Sequence, residues 1–134
     1  MPRTRFVAEF IGNNNLFEGI LTSVSGSIAL IEHGDSMFYV NVSDDHLHHT
    51  VGSSVSLSVR ADCVVTGTNS DMANRIDATY VATEYLGSLE TDVFEFAPNH
   101  YVHVEQHRAS KNRTYQVGEK ETLCWSAVSA VLLD

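Results

Sequence analysis

The sequence predicts an all-β fold: a barrel or sandwich built from two small halves, with a short N-terminal helix in front of it. Three observations predict this. Short β-rich runs recur between glycine-marked turns, no segment of the body keeps a helical period, and the order of elements in the first half returns in the second. A chain of 134 residues, 43% of them apolar, suits one domain that buries a core without metal or disulfide staples.

The N-terminal element comes first. Phe6, Val7, Phe10 and Ile11 fall on one side of a 3.6-residue period, with Arg5 and Glu9 beside it. A helix within 1–13 is expected to stop at Gly12, where Asn13, Asn14 and Asn15 tolerate turn conformations. One or two helical turns need a surface to lie against, either the rest of this domain or a preceding one.

From Leu16 the period changes. Residues 17–24, 27–32, 36–42 and 54–60 read as strands separated by Ser25-Gly26, His33-Gly34-Asp35 and a loop through Gly52. The fourth alternates plainly, Val55, Leu57 and Val59 facing inward and Ser54, Ser56, Ser58 and Arg60 outward or towards a partner. The polar stretch 66–75 has no periodicity and marks an internal connection. Strands resume at 76–85, 88–96, 100–106 and 119–125, and the apolar tail Ala127 to Leu133 reads equally as a strand or a closing turn of helix. The domain therefore spans 14–134, with halves of about 14–66 and 76–134 joined through 67–75.

The halves echo one another. Placing Gly19 on Gly87 aligns Phe17 with Tyr85 and Leu21 with Leu89. A shift of two then matches Gly52 with Gly118, Leu57 with Leu123, Val59 with Trp125, Ala61 with Ala127 and Val65 with Val131. A handful of strands leaves one face exposed, and pairing two such units covers it.

Composition excludes several functions. The formal charge of -9, with eight basic residues that do not cluster, argues against a nucleic-acid backbone as partner. No apolar run approaches the ~20 residues that cross a bilayer, so no direct membrane insertion is expected. Cys63 and Cys124 show no metal-ligand spacing and are expected to be free thiols. The serines lack a GxSxG elbow, and Glu119 with Glu121 reads as a pair of solvated carboxylates rather than an acid/base pair. No GxxxxGK[ST] loop is present, so no ATP hydrolysis is assigned to these residues.

Arg5-Phe6-Val7-Ala8-Glu9-Phe10-Ile11-Gly12, followed by Asn15-Leu16-Phe17-Glu18-Gly19, resembles the junction in ATP-binding subunits of ABC importers where the nucleotide-binding domain passes into its C-terminal TOBE (transport-associated OB) region. Val51-Gly52 with the alternating strand and Arg60-Ala61-Asp62 is similar to the family's Val-Gly, strand and Arg-Pro-Glu. Here Ala61 and Asp62 stand in place of the proline and glutamate. Tyr85-Leu86-Gly87 and Val117-Gly118 through Trp125 resemble the polyamine and ferric-iron importer subgroup. The resemblance implies an all-β, OB-fold-like barrel built from two small halves, serving as an accessory regulatory or dimerisation domain, non-catalytic by itself and without a cofactor. Its implied partners are the ATP-binding domain of the same subunit, a second copy, and the permease indirectly. It also implies a cytoplasmic location, peripheral at the inner face of the membrane.

TOBE domains also resemble molybdate-binding modules, which hold a tetrahedral oxyanion with backbone N–H groups, hydroxyls and a cation. On that alternative the candidate ligands are Asn15, Ser58 and Arg60, although a strongly acidic chain supplies little positive potential. A second candidate constellation is Asp44-Asp45-His46-Leu47-His48-His49, in which His46 and His48, two apart, share a side of an extended segment and suit zinc or nickel; a solvated loop explains it as well. Within the strand at 100–106, alternation separates His100 from His103. It puts Val102 and Val104 in the core and Tyr101, His103 and Glu105 on the outer face. His107, Arg108, Lys111 and Arg113 read as a small, solvated basic loop.

Overall fold

A computed structural model describes residues 14–42, 49–111 and 113–133. It is all-β, with two five-stranded antiparallel sheets. The expected N-terminal helix, within 1–13, lies outside the described residues. In chain order the strands are β1 (Asn14–Ser25), β2 (Ile28–His33), β3 (Ser36–Asn41), β4 (Ser54–Arg60) and β5 (Val65–Thr66), then β6 (Asn74–Leu86), β7 (Leu89–Ala97), β8 (His100–His107), β9 (Lys120–Trp125) and β10 (Ala130–Leu133). Single 3-10 turns at Ala61–Cys63 and Ala127–Ser129 lead into β5 and β10.

The sheet orders are β10-β4-β1-β2-β3 and β5-β9-β6-β7-β8. Each half therefore lends its last strand to the other's sheet. Val131 pairs with Ser58 and Val65 with Cys124, the same step in both directions. Two small curled sheets become one body through this exchange, because neither sheet is complete without a strand from the other half.

The repeat is visible in backbone detail. β1 and β6 carry register shifts after Leu21 and Tyr80, and both hairpins turn at a glycine with positive φ, Gly26 at 60° and Gly87 at 62°. Gly52 N–H donates to Leu21 O and Leu21 N–H to Ser53 O; Gly118 N–H donates to Tyr80 O and Tyr80 N–H to Glu119 O. The matches of Gly52 with Gly118, Leu57 with Leu123 and Val65 with Val131 stand. The match of Gly19 with Gly87 does not. Gly87 corresponds to Gly26, and Gly19 to Ala78, because the long first strands superpose on Leu21 and Tyr80.

The core follows the alternation. Val55, Leu57 and Val59 are buried, as are Val102 and Val104, while Tyr101 is exposed. Phe17 lies at the centre, stacked on Trp125 with ring centroids 5.3 Å apart and tilted against Phe38 at 5.0 Å. Burying such side chains contributes roughly 1.5–3 kcal/mol each. The apolar tail resolves as a 3-10 turn and a strand, with Leu132 and Leu133 buried. Cys63 and Cys124 are free thiols; Cys124 is buried and Cys63 half-buried.

Candidate functional site

The three oxyanion candidates lie at adjoining positions of the β1–β4 ladder, Asn15 on the inner face and Ser58 and Arg60 on the outer one. Asn15 is 2% exposed on the inner face of β1, where its Nδ2 donates to His103 O at 2.8 Å and its Oδ1 accepts from His103 N–H at 2.7 Å. One amide thus makes the same pair of bonds that a neighbouring strand would make to β8. Ser58 lies on the other face of the sheet, buried beside Val131 and Leu16 in the strand pairing. Arg60, its side chain 71% exposed, pairs with Asp62 at 2.8 Å.

The second half repeats the clasp. Asn74, fully buried, accepts from Tyr39 N–H at 2.7 Å and donates to Tyr39 O at 2.9 Å. Two asparagines, each near the start of a long first strand, close the two seams between the sheets. The signal was present in the sequence as two asparagines 59 positions apart, but only the corrected superposition of the halves makes them a pair.

At the Asn15 seam a cleft of about 420 Å³ is lined by Asn14, Glu18, His33, Asn99, His100 and His103, among others. Alternation had set His100 and His103 on opposite faces. Both line this cleft, because His100 opens β8 just after an irregular step in its pairing with β7, and its ring reaches across to β1. His100 Nε2 donates to Leu16 O at 3.0 Å, and His33 Nδ1 donates to Glu18 O. Burial holds the His100 pKa below the ordinary imidazole value and nearby His33 adds to this, against the bond to Leu16 O and the charge of Glu18. Among the described residues, no three His, Cys, Asp or Glu side chains gather as a metal-ligand set. The candidates His46 and His48 lie outside the described residues; His49 bonds through Nε2 to Leu133 O at 2.8 Å.

A second cleft, of about 510 Å³, belongs to the second half alone and corrects the reading of the basic loop. Lys111 is not solvated: its side chain is 11% exposed and its Nζ lies 2.8 Å from both Glu90 Oε2 and Asp92 Oδ1. Asp92 is fully buried, accepts from Thr83 Oγ1 at 2.6 Å, and its Oδ2 has no hydrogen-bond partner among the described residues. Burial works against the Lys111 charge, yet the carboxylates of Asp92 and Glu90 hold its pKa above the usual range. Around it Arg108 pairs with Glu90 at 3.3 Å and lies over Tyr85, while Arg113 lies over Tyr115. Glu119 and Glu121 are not idle carboxylates; both bind Arg113, and Glu121 also accepts from Tyr115 OH at 2.7 Å. The three basic side chains are thereby neutralised by the protein's own acids.

No family model matches the chain. It is 26% identical over 133 residues to the spermidine/putrescine import ATP-binding protein PotA of Rubrobacter xylanophilus, a match covering 99% of this chain and 35% of that protein. The chain thus spans about a third of the length of that relative, in its C-terminal part. A solved structure of the cytoplasmic molybdate-binding protein ModG, with molybdate bound, has a TM-score of 0.75 at 17% identity, covering 92% of this chain and 97% of that one. That likeness is one of fold. Neither match adds a catalytic domain to the chain, which by itself holds no phosphate-cradling loop. Over nearly its whole length the chain resembles the C-terminal TOBE region of a polyamine-importer ATP-binding subunit, on a fold shared with a molybdate-binding protein.

Proposed function

We propose that this chain is the accessory regulatory and pairing domain of an ABC-importer ATP-binding subunit. The likeness to PotA along 99% of the chain carries this reading. Residues 1–13 lead in from the ATP-binding domain and 14–134 form the accessory domain, its halves 14–66 and 76–134 joined through 67–75. The domain does no chemistry. It pairs with a second copy and so holds two ATP-binding domains near one another as they open and close, on the cytoplasmic side and in indirect contact with the permease. C2 pairing is the usual arrangement for such a homo-oligomer. No helix among the described residues is long and apolar enough to cross a membrane, which agrees with peripheral attachment. Sedimentation equilibrium over about a hundredfold concentration range tests the pairing. A concentration-dependent dimer is expected, and a monomer throughout would overturn it.

The fold shared with ModG favours a second reading, an oxyanion-binding module with Asn15, Ser58 and Arg60 as candidate ligands. Against it, Asn15 is committed to His103 and Arg60 to Asp62. Calorimetric titration with molybdate separates the readings: heat that disappears in Arg60→Ala supports the second, and an absence of heat removes it.

A further inference from the structure

The two seams are closed alike and lined differently. Beside the Asn15 clasp, His33 and His100 tie their rings to the edge carbonyls of β1, where β2 no longer pairs with it. The hairpin pairs are His33 with Ser36 in one half and Ala97 with His100 in the other. By the repeat, the places beside the Asn74 clasp that match His33 and His100 hold Ala97 and Ser36. Imidazole therefore stands at these positions in one seam and not in the other.

A carbonyl oxygen only accepts, so each bond fixes the tautomer: the hydrogen sits on His33 Nδ1 and on His100 Nε2. The nitrogens left without a hydrogen are His33 Nε2 and His100 Nδ1. The two ring centroids are 5.9 Å apart, and both rings pack against Phe17 and Phe96. A second proton has to enter beside the first charge in a half-buried aromatic setting, which couples the two titrations. The ionisable groups around the pair are Glu18 on β1, Glu32 beside His33 on β2, Asp35 in the following turn and His103 on β8. On β7, Glu95 accepts from Asn99 N–H at the head of the β7–β8 hairpin.

We propose that His33 and His100 form a proton-sensitive clasp: charge entering this ring pair in mild acid loosens the β1–β8 seam while the Asn74–Tyr39 seam stays closed. Neutral, His100 bridges β8 to Leu16 O on β1, while His33, tied to Glu18 O within its own sheet, packs its ring against His100 and Phe96 across the seam. The direction agrees with the lowered pKa of His100. A base with a depressed folded pKa stabilises the closed form above its unfolded value, and that contribution is lost as pH falls towards the folded one. The proposal stands independently of the pairing function.

The molecule contains its own reporter and control. The amide of residue 103 bonds across the histidine seam to Asn15, and the amide of Tyr39 bonds across the other to Asn74. Amide hydrogen exchange of the whole chain, corrected for the intrinsic chemical rate, is measured from about pH 7.5 to about pH 5 in a His103→Gln background that removes that ring's own titration. Protection at position 103 is expected to fall about tenfold relative to Tyr39. His100→Gln and His33→Gln keep a side-chain donor without a titrating ring and are expected to abolish the pH dependence. Equal loss of protection at both amides, or a pH dependence that survives either substitution, overturns the proposal. If a glutamine variant fails to fold, NMR titration of the two rings decides: coupled, two-step curves support the clasp, and two independent single-site curves refute it.

Discussion

The two halves share a backbone but fill one matching buried place with opposite chemistry. After the register shift in each first strand, Val24 pairs with Ala29 in the first half and Thr83 with Asp92 in the second, and both Ala29 and Asp92 are fully buried. Where the first half has hydrocarbon, the second has an ion pair fed by a loop that delivers Lys111. A curled β-unit of this kind therefore dictates which positions are interior but not what fills them. An apolar pair is stable alone, whereas a carboxylate there requires a cation from elsewhere in the chain.

The sharpest way to break the comparison is to remove that cation. Lys111→Met leaves Glu90 and Asp92 facing each other with Arg108 as the remaining partner of Glu90, and is expected to cost about 3–5 kcal/mol in urea denaturation. Adding Thr83→Val and Asp92→Ala, the pattern of the first half, is expected to recover most of it. A triple variant no more stable than the single one would show that the polar network, and not only its charge balance, is needed there.

The clasps come next, and they test whether the seams are energetically alike. Asn15→Ala and Asn74→Ala each orphan an N–H and a C=O on an edge strand, at about 1–3 kcal/mol for every group left buried and unpaired. Asn74 is the more deeply buried, so its loss is expected to be the larger. Equal denaturation midpoints for the two variants would mean that water reaches both seams.

Gly19 and Ala78 occupy matching places and provide the third test. A Cβ on Gly19 would fall inside contact distance of Glu32 O and lie 2.7 Å from Ile31 Cγ2, while Ala78 carries its methyl in the second half. Gly19→Ala is expected to cost about 1–3 kcal/mol through this overpacking, and Ala78→Gly only about 0.5–1 kcal/mol through backbone entropy. Thermal unfolding of the two variants distinguishes steric from entropic loss.

How far the sequence speaks depends on the range over which an interaction acts. The alternation of Val55, Leu57 and Val59 needs only its own strand, and the burial it implies is what the structure shows. β5 is two residues long and gave no period to read. The first-strand register was misplaced because Gly19, packed against β2, was matched to a turn glycine, and composition alone does not distinguish a glycine needed for space from one needed for positive φ. The bond of Asn15 to His103 was not legible in the sequence: the two lie 88 residues apart, and no local pattern records that contact. Lys111 read as solvated for the same reason, since its acids sit on β7 and the loop path that buries it is a tertiary fact.

The smallest expected effect concerns Tyr115, whose loop has no matching tyrosine in the first half. Burial, and then the hydrogen bond to Glu121, push its phenol up to about 12. For an acid whose folded pKa is raised, stabilisation is complete below the unfolded value near 10 and disappears as pH rises through the folded one. Tyrosinate absorbance of the folded chain should therefore show one phenol ionising only as pH approaches about 12, and Tyr115→Phe should remove that late step. Glu121→Gln exchanges a charged acceptor for a neutral one and should move the step down, since a phenolate next to a carboxylate is what the native site resists. A late step that survives Tyr115→Phe would assign it to another ring and leave the Arg113–Tyr115 stack as the loop's remaining anchor on β9.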